Sequence, residues 1–140
     1  MSISNILQKL NLQSVDFSND VTSIDEALSQ YSAKKCSEKS VLKMFTLLNK
    51  KYPLNPLLLG RLLIFLQLVN DADVLDKVAL KDIGLLYERL TNIYKDDVEL
   101  NIESFYFIYN IEDKEDKARK ALVKFRKRID KKITTIEKSL

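Results

Sequence analysis

The chain has 140 residues, 23 Lys or Arg against 20 Asp or Glu, and a net charge of +3. It contains no His, one Cys and only two Gly. That composition excludes Ser-His-Asp and Cys-His catalysis, any internal disulfide, and the glycine-rich loops that cradle phosphates.

Hydrophobic residues make up 46% of the chain and charged residues 31%, enough apolar material for a packed core. The length predicts a single domain, residues 1–140. Cys36 stands alone, which fits a reduced, cytoplasmic setting or the interior of a viral or phage assembly. The Lys-, Asn- and Ile-rich vocabulary with little Gly or Pro is that of an AT-rich coding source such as a bacterium or phage. Residues Met1–Asn11 lack the basic and continuous apolar regions of a secretory signal. The most apolar run, Leu57–Val69, is interrupted by Arg61 and Gln67 and is shorter than the ~20 residues of a membrane span.

In chain order, Ile6, Leu7 and Leu10 predict a short helix over 4–11. The polar stretch 13–22 reads as a turn, so that 1–22 forms a loosely attached segment. Ser23 and Glu26 have capping-box spacing and predict a helix over 24–34. Ser37 is the expected N-cap of a helix over 38–51 with Val41, Leu42, Phe45 and Leu48 as its buried stripe. Asn55 followed by Pro56 starts the next, 56–70, which is apolar on nearly all sides and must be covered by neighbours. Gly60 on it suits a close helix crossing. Asp71 and Asp73 mark a turn and cap before a helical stretch over 74–94, with an interruption near Ala79–Lys81. Asp96 or Asp97 caps a helix over 98–111, and an acidic turn leads into a last helix over 117–138. Ala118, Ala121, Leu122, Phe125, Ile129, Ile133 and Ile136 form the apolar stripe of that amphipathic, basic C-terminal helix, within 112–140.

No alternating strand pattern competes, so the expected fold is all-α: about seven antiparallel helices joined by short links. Two architectures fit, a compact helical bundle or a short stack of helical hairpins. The segment Asp97–Leu122 resembles one tetratricopeptide repeat: Tyr109 falls at the aromatic position of the first helix and Ala118 at the small position of the second. Tyr87–Asp97 resembles the end of a preceding repeat, so the likeness covers about residues 87–130. Tyr106 and Phe125 stand where that pattern has small residues, and Asp130 where it has proline. The resemblance implies a scaffold that binds a partner along a concave face.

Candidates for chemistry are few. Cys36 follows Lys34 and Lys35, which would favour a thiolate, yet it also reads as an ordinary cysteine at a helix end. Asp71, Asp73 and Asp76 resemble the start of a calcium loop but lack its glycine and closing glutamate. They read better as helix-start acids, as do Glu112, Asp113, Glu115 and Asp116. No catalytic residue, cofactor site, metal site or small-molecule substrate is expected.

The surfaces are more informative. Nine basic residues against Asp130 crowd 117–132, and Lys120, Lys124, Lys127 and Lys131 share one helical face. Such a row fits a phosphate backbone, an acidic protein, an anionic membrane surface, or simply solvent. Four aromatics, Phe105, Tyr106, Phe107 and Tyr109, point in different directions on one helix. Some must be exposed unless the helix is enclosed, and Tyr106 and Tyr109 then suit a partner. The expected function is a non-enzymatic interaction module, an adaptor or assembly subunit, that binds a protein or itself. The alternative is nucleic-acid binding through the basic helix.

Overall fold

A computed structural model describes residues 2–71 and 79–140. Among them are six α-helices, one π-helical turn and no strand, which establishes the all-α class. The helices are α1 (Ile3–Ser32), α2 (Glu38–Lys51), α3 (Pro56–Asp71), α4 (Leu80–Ile93), α5 (Val98–Tyr106) and α6 (Glu115–Ser139). None is long and apolar enough to cross a membrane. The chain divides into two compact units, Met1–Phe65 and Leu66–Leu140. Asp71, expected at a turn, is the last residue of α3; the expected cap at Asp73, the helix start at Val74 and the Asp73–Asp76 spacing lie outside the described residues.

The largest difference from the sequence expectation is α1. The predicted short helix, turn and second helix are one continuous helix of 30 residues, so six α-helices stand among the described residues where seven were expected. Nothing in 13–22 breaks the ladder: there is no proline and no glycine. The polar side chains that suggested a turn satisfy themselves on the helix instead. Ser14 Oγ donates to Asn11 O, Thr22 Oγ1 to Ser18 O, and Ser23 Oγ to Asn19 O at 3.1 Å. Ser23 is therefore not a cap. The cap is Ser2, whose hydroxyl accepts from Asn5 N at 3.2 Å. Residues 3–22 are accordingly helical, and the helix runs unbroken into the packed part of the unit.

In the first unit, α1 and α2 pack through Ile24, Ala27, Val41, Phe45 and Leu48, all buried. Leu42, expected in that stripe, is exposed. Phe65 of α3 lies between Tyr31 and Phe45, with ring centroids 5.2 and 5.7 Å away. The caps of α2 and α3 follow the sequence. Ser37 Oγ accepts from Ser40 N, and Asn55 Oδ1 accepts from Leu57 N at 3.0 Å and Leu58 N at 3.3 Å. Gly60 is buried, and no described side chain of α3 is exposed. With both glycines spent inside helices, the left-handed turns fall to Lys34, Leu54 and Asp113, at φ 59°, 54° and 55°.

In the second unit, Asp97 caps α5 by accepting from Leu100 N at 2.8 Å. The core is Ile83, Tyr87 and Leu90 of α4, Leu100 and Ser104 of α5, and Phe107, Ile108 and Ala118. The helix after Tyr106 widens into a π turn, Phe107–Ile111, where Glu112 N bonds back to Phe107 O. α6 is less buried than its stripe suggested. Ala118 is fully buried and Phe125 and Ile129 partly so, whereas Ala121, Leu122, Ile133 and Ile136 are exposed.

Candidate interaction surfaces

Two surfaces of the second unit gather the residues that the sequence singled out. The first lies on α5. Leu100, Ser104 and Phe107 turn inward, so the opposite face carries Val98, Ile102, Phe105 and Tyr106 at helical spacing, followed by Tyr109. Tyr106 is 56% exposed and Tyr109 37%, while Phe105 is partly buried. Phe105 holds the group together: its ring meets Tyr106 edge-on at 5.3 Å and Tyr109 at 5.8 Å. Phe107, the fourth aromatic, is core and packs on Tyr87 at 5.3 Å. Val98 and Ile102 were not singled out from the sequence. Their steps of four residues from each other and to Tyr106 are the signal that places them with it.

The second surface is the outer face of α6. Lys120, Lys124, Lys127 and Lys131 fall within an arc of about 60° on the side opposite Ala118, Phe125 and Ile129, and all four are exposed. The helix sorts its basic residues by face. Lys117 pairs with Glu112 at 3.3 Å, Arg119 with Glu115 at 2.8 Å and Arg126 with Asp130 at 3.8 Å, and Lys132 pairs with Asp96. The four lysines of the outer row have no such partner among the described residues. The hydrogen bond that Arg119 donates to Glu115, together with that carboxylate's charge, holds the guanidinium above its ordinary value.

Between α4, α5 and α6 lies an open cleft of about 340 Å³, lined by Gly84, Glu88, Ser104, Phe105, Lys124 and Phe125 among others. Tyr87 closes the core beneath, its hydroxyl accepting from Gln67 Nε2 at 3.1 Å. Burial, with the nearby Glu103 carboxylate, pushes that phenol far above its ordinary value. The acidic turn is occupied with structure: Glu112 bonds Lys117 and Asp113 takes the left-handed conformation. No three of His, Cys, Asp or Glu converge on one point among the described residues. Cys36 is partly buried and its Sγ donates to Ala27 O at 3.4 Å, which ties it to the end of α1.

In the first unit a polar constellation ties α1 to the end of α2. Asp20 accepts from Lys51 Nζ at 3.0 Å and Tyr52 Oη at 2.8 Å, and Phe17 packs on the Tyr52 ring at 5.0 Å. Desolvation raises the Asp20 carboxyl, but these two hydrogen bonds outweigh it and hold the group below its ordinary value.

No protein-family model matches the chain, and neither a curated protein nor a solved structure matches it.

Proposed function

We propose that this chain is a non-enzymatic interaction module, an adaptor or assembly subunit, whose partner is a protein. The observation that carries this reading is the α5 face, where Val98, Ile102, Tyr106 and Tyr109 are exposed together around Phe105. A helix that leaves aromatic and β-branched side chains in water along one stripe, while its opposite side forms the core, has the composition of a binding hot spot. In this reading Tyr106 and Tyr109 are the anchors and Phe105 their support. The tetratricopeptide-like reading belongs to the same proposal. Ala118, fully buried, then serves as the small residue at which the second helix of the hairpin closes on the first. A reduced Cys36 held against Ala27 O supports a cytoplasmic setting, or one inside a viral or phage assembly.

The test is photocrosslinking from position 102 in the source cells, followed by titration of the captured protein in purified form. Y106A/Y109A is expected to weaken that complex by at least about tenfold, the effect of losing one anchor of ~1.4 kcal/mol. Equal affinity in the double variant would remove the α5 face from the account.

A second reading is favoured by the unpaired state of the outer lysine row. In it, Lys120, Lys124, Lys127 and Lys131 follow the phosphates of a nucleic-acid duplex. The row carries no aromatic side chain, so stacking on single-stranded bases has no support.

A further inference from the structure

Where α2 ends, α1 does not. Lys51 and Tyr52, at the close of α2, reach Asp16, Phe17 and Asp20 of α1. The preceding residues, Ile3 to Val15, continue as helix. The apolar stripe continues with them. Ile24, Ala27 and Phe17 make its packed portion, and Ile3, Ile6, Leu7 and Leu10 prolong nearly the same face in the open. All four are exposed, Leu7 by 56% and Leu10 by 54%. One isolated amphipathic stretch of under four turns gains little from remaining helical in water unless that stripe is covered.

We propose that a second copy of this chain covers it, through an antiparallel two-fold pairing of the first halves of α1. Charge selects the occupant. From Ser2 to Val15 the only ionisable side chain is Lys9. A nucleic acid, an anionic lipid surface or an acidic protein therefore finds almost nothing to pair with, whereas an identical uncharged stripe is matched. The spacing selects the geometry. In an antiparallel pair centred between Ile6 and Leu7, Ile3 meets Leu10 of the second copy and Ile6 meets its Leu7, and the two-fold axis repeats both contacts. The pattern is thus self-complementary. Antiparallel alignment also sets the two Lys9 residues five positions apart, about 7.5 Å along the axis, and opposes the helix dipoles. A parallel pair would place Lys9 beside Lys9 and like dipole ends together.

A seam of four apolar residues per copy is short against the ~20–30 residues a side of a standard interface, so a weak, concentration-dependent dimer is expected. The proposal concerns a different helix from α5 and stands whether or not that face has a partner. Sedimentation velocity of the full chain, from low micromolar to sub-millimolar concentration, is expected to record a reversible monomer–dimer equilibrium. L7E/L10E is expected to raise the midpoint at least about tenfold, with circular dichroism and thermal unfolding checking that the core persists. A monomer at every concentration, or association unaffected by the double variant, overturns the proposal. The geometry has its own readout. In a C36S background, oxidised mixtures of I3C and L10C chains are expected to link position 3 to position 10. Preferential 3–3 and 10–10 links would overturn the antiparallel pairing.

Discussion

Tyr87 sits at the centre of the second unit with its hydroxyl satisfied by Gln67, and its burial sets a limit on the alkaline side. The phenol's folded value is raised above the ordinary 10.0. The stability this contributes is fully present below pH 10 and is lost as pH climbs past it, because only the unfolded chain then releases the proton. An absorbance titration at alkaline pH is expected to withhold the Tyr87 step until the protein unfolds. Y87F is expected to abolish the withheld step and to cost about 1 kcal/mol, the net worth of one buried hydrogen bond. A Tyr87 that titrates before unfolding would mean that it is open to water. Asp20 has the opposite sign. Its folded value is depressed by Lys51 and Tyr52, so its contribution is present above the ordinary carboxylate range and lost as pH falls through it. The tie between α1 and the end of α2 thus weakens in acid.

At the scale of elements, what was legible and what was not separates along a physical line. Ser37, Asn55 and Asp97 were readable as helix starts because each precedes an apolar run and has no competing bond to make. The stretch from Gln13 to Thr22 was misread because Ser and Asn favour turns only when nothing fixes the backbone. Here the helix continues through it without proline or glycine, and Phe17 and Asp20 are tied to Tyr52 more than thirty residues away. No local pattern contains that tie. The apolar stripe of α6 was legible as a stripe, but how much of it is covered was not, since that depends on where α4 and α5 end. The α5 face was half legible: its tyrosines announced themselves, and Val98 and Ile102 became part of it only once Leu100, Ser104 and Phe107 were known to point inward. The reassignment of α1 is open to a direct check. Ser23 as a cap would lose ~1 kcal/mol on conversion to alanine. As a mid-helix residue bonded back to Asn19 O, S23A is expected to be neutral or to stabilise by a few tenths of a kcal/mol. S2A is the counterpart, expected to fray the first turn in amide exchange. A cost near that of a cap for S23A would restore the broken helix.

For the whole molecule, the net charge of +3 conceals a segregation. Residues 117–140 hold ten basic and two acidic side chains, whereas 66–116 hold thirteen acidic and five basic. Part of this asymmetry is consumed within the second unit, where Glu112 and Asp96 take Lys117 and Lys132 of α6. The outer row is what remains: four lysines on the face away from the core, without carboxylate partners among the described residues. Side chains in that position add little to stability, so changing them separates binding from folding. K120E/K124E/K127E/K131E is expected to unfold within about 0.5 kcal/mol of the parent chain. If the row follows a duplex, the parent binds DNA or RNA with log K falling about 3.6 per tenfold rise in salt, four phosphates' worth of counterion release, and the variant loses that binding. If the row is only solvated, neither protein is retained on a duplex at low salt, and partner recognition rests on α5. Binding to a duplex that persists undiminished after all four reversals would place the contact elsewhere on the molecule and end the case for this helix.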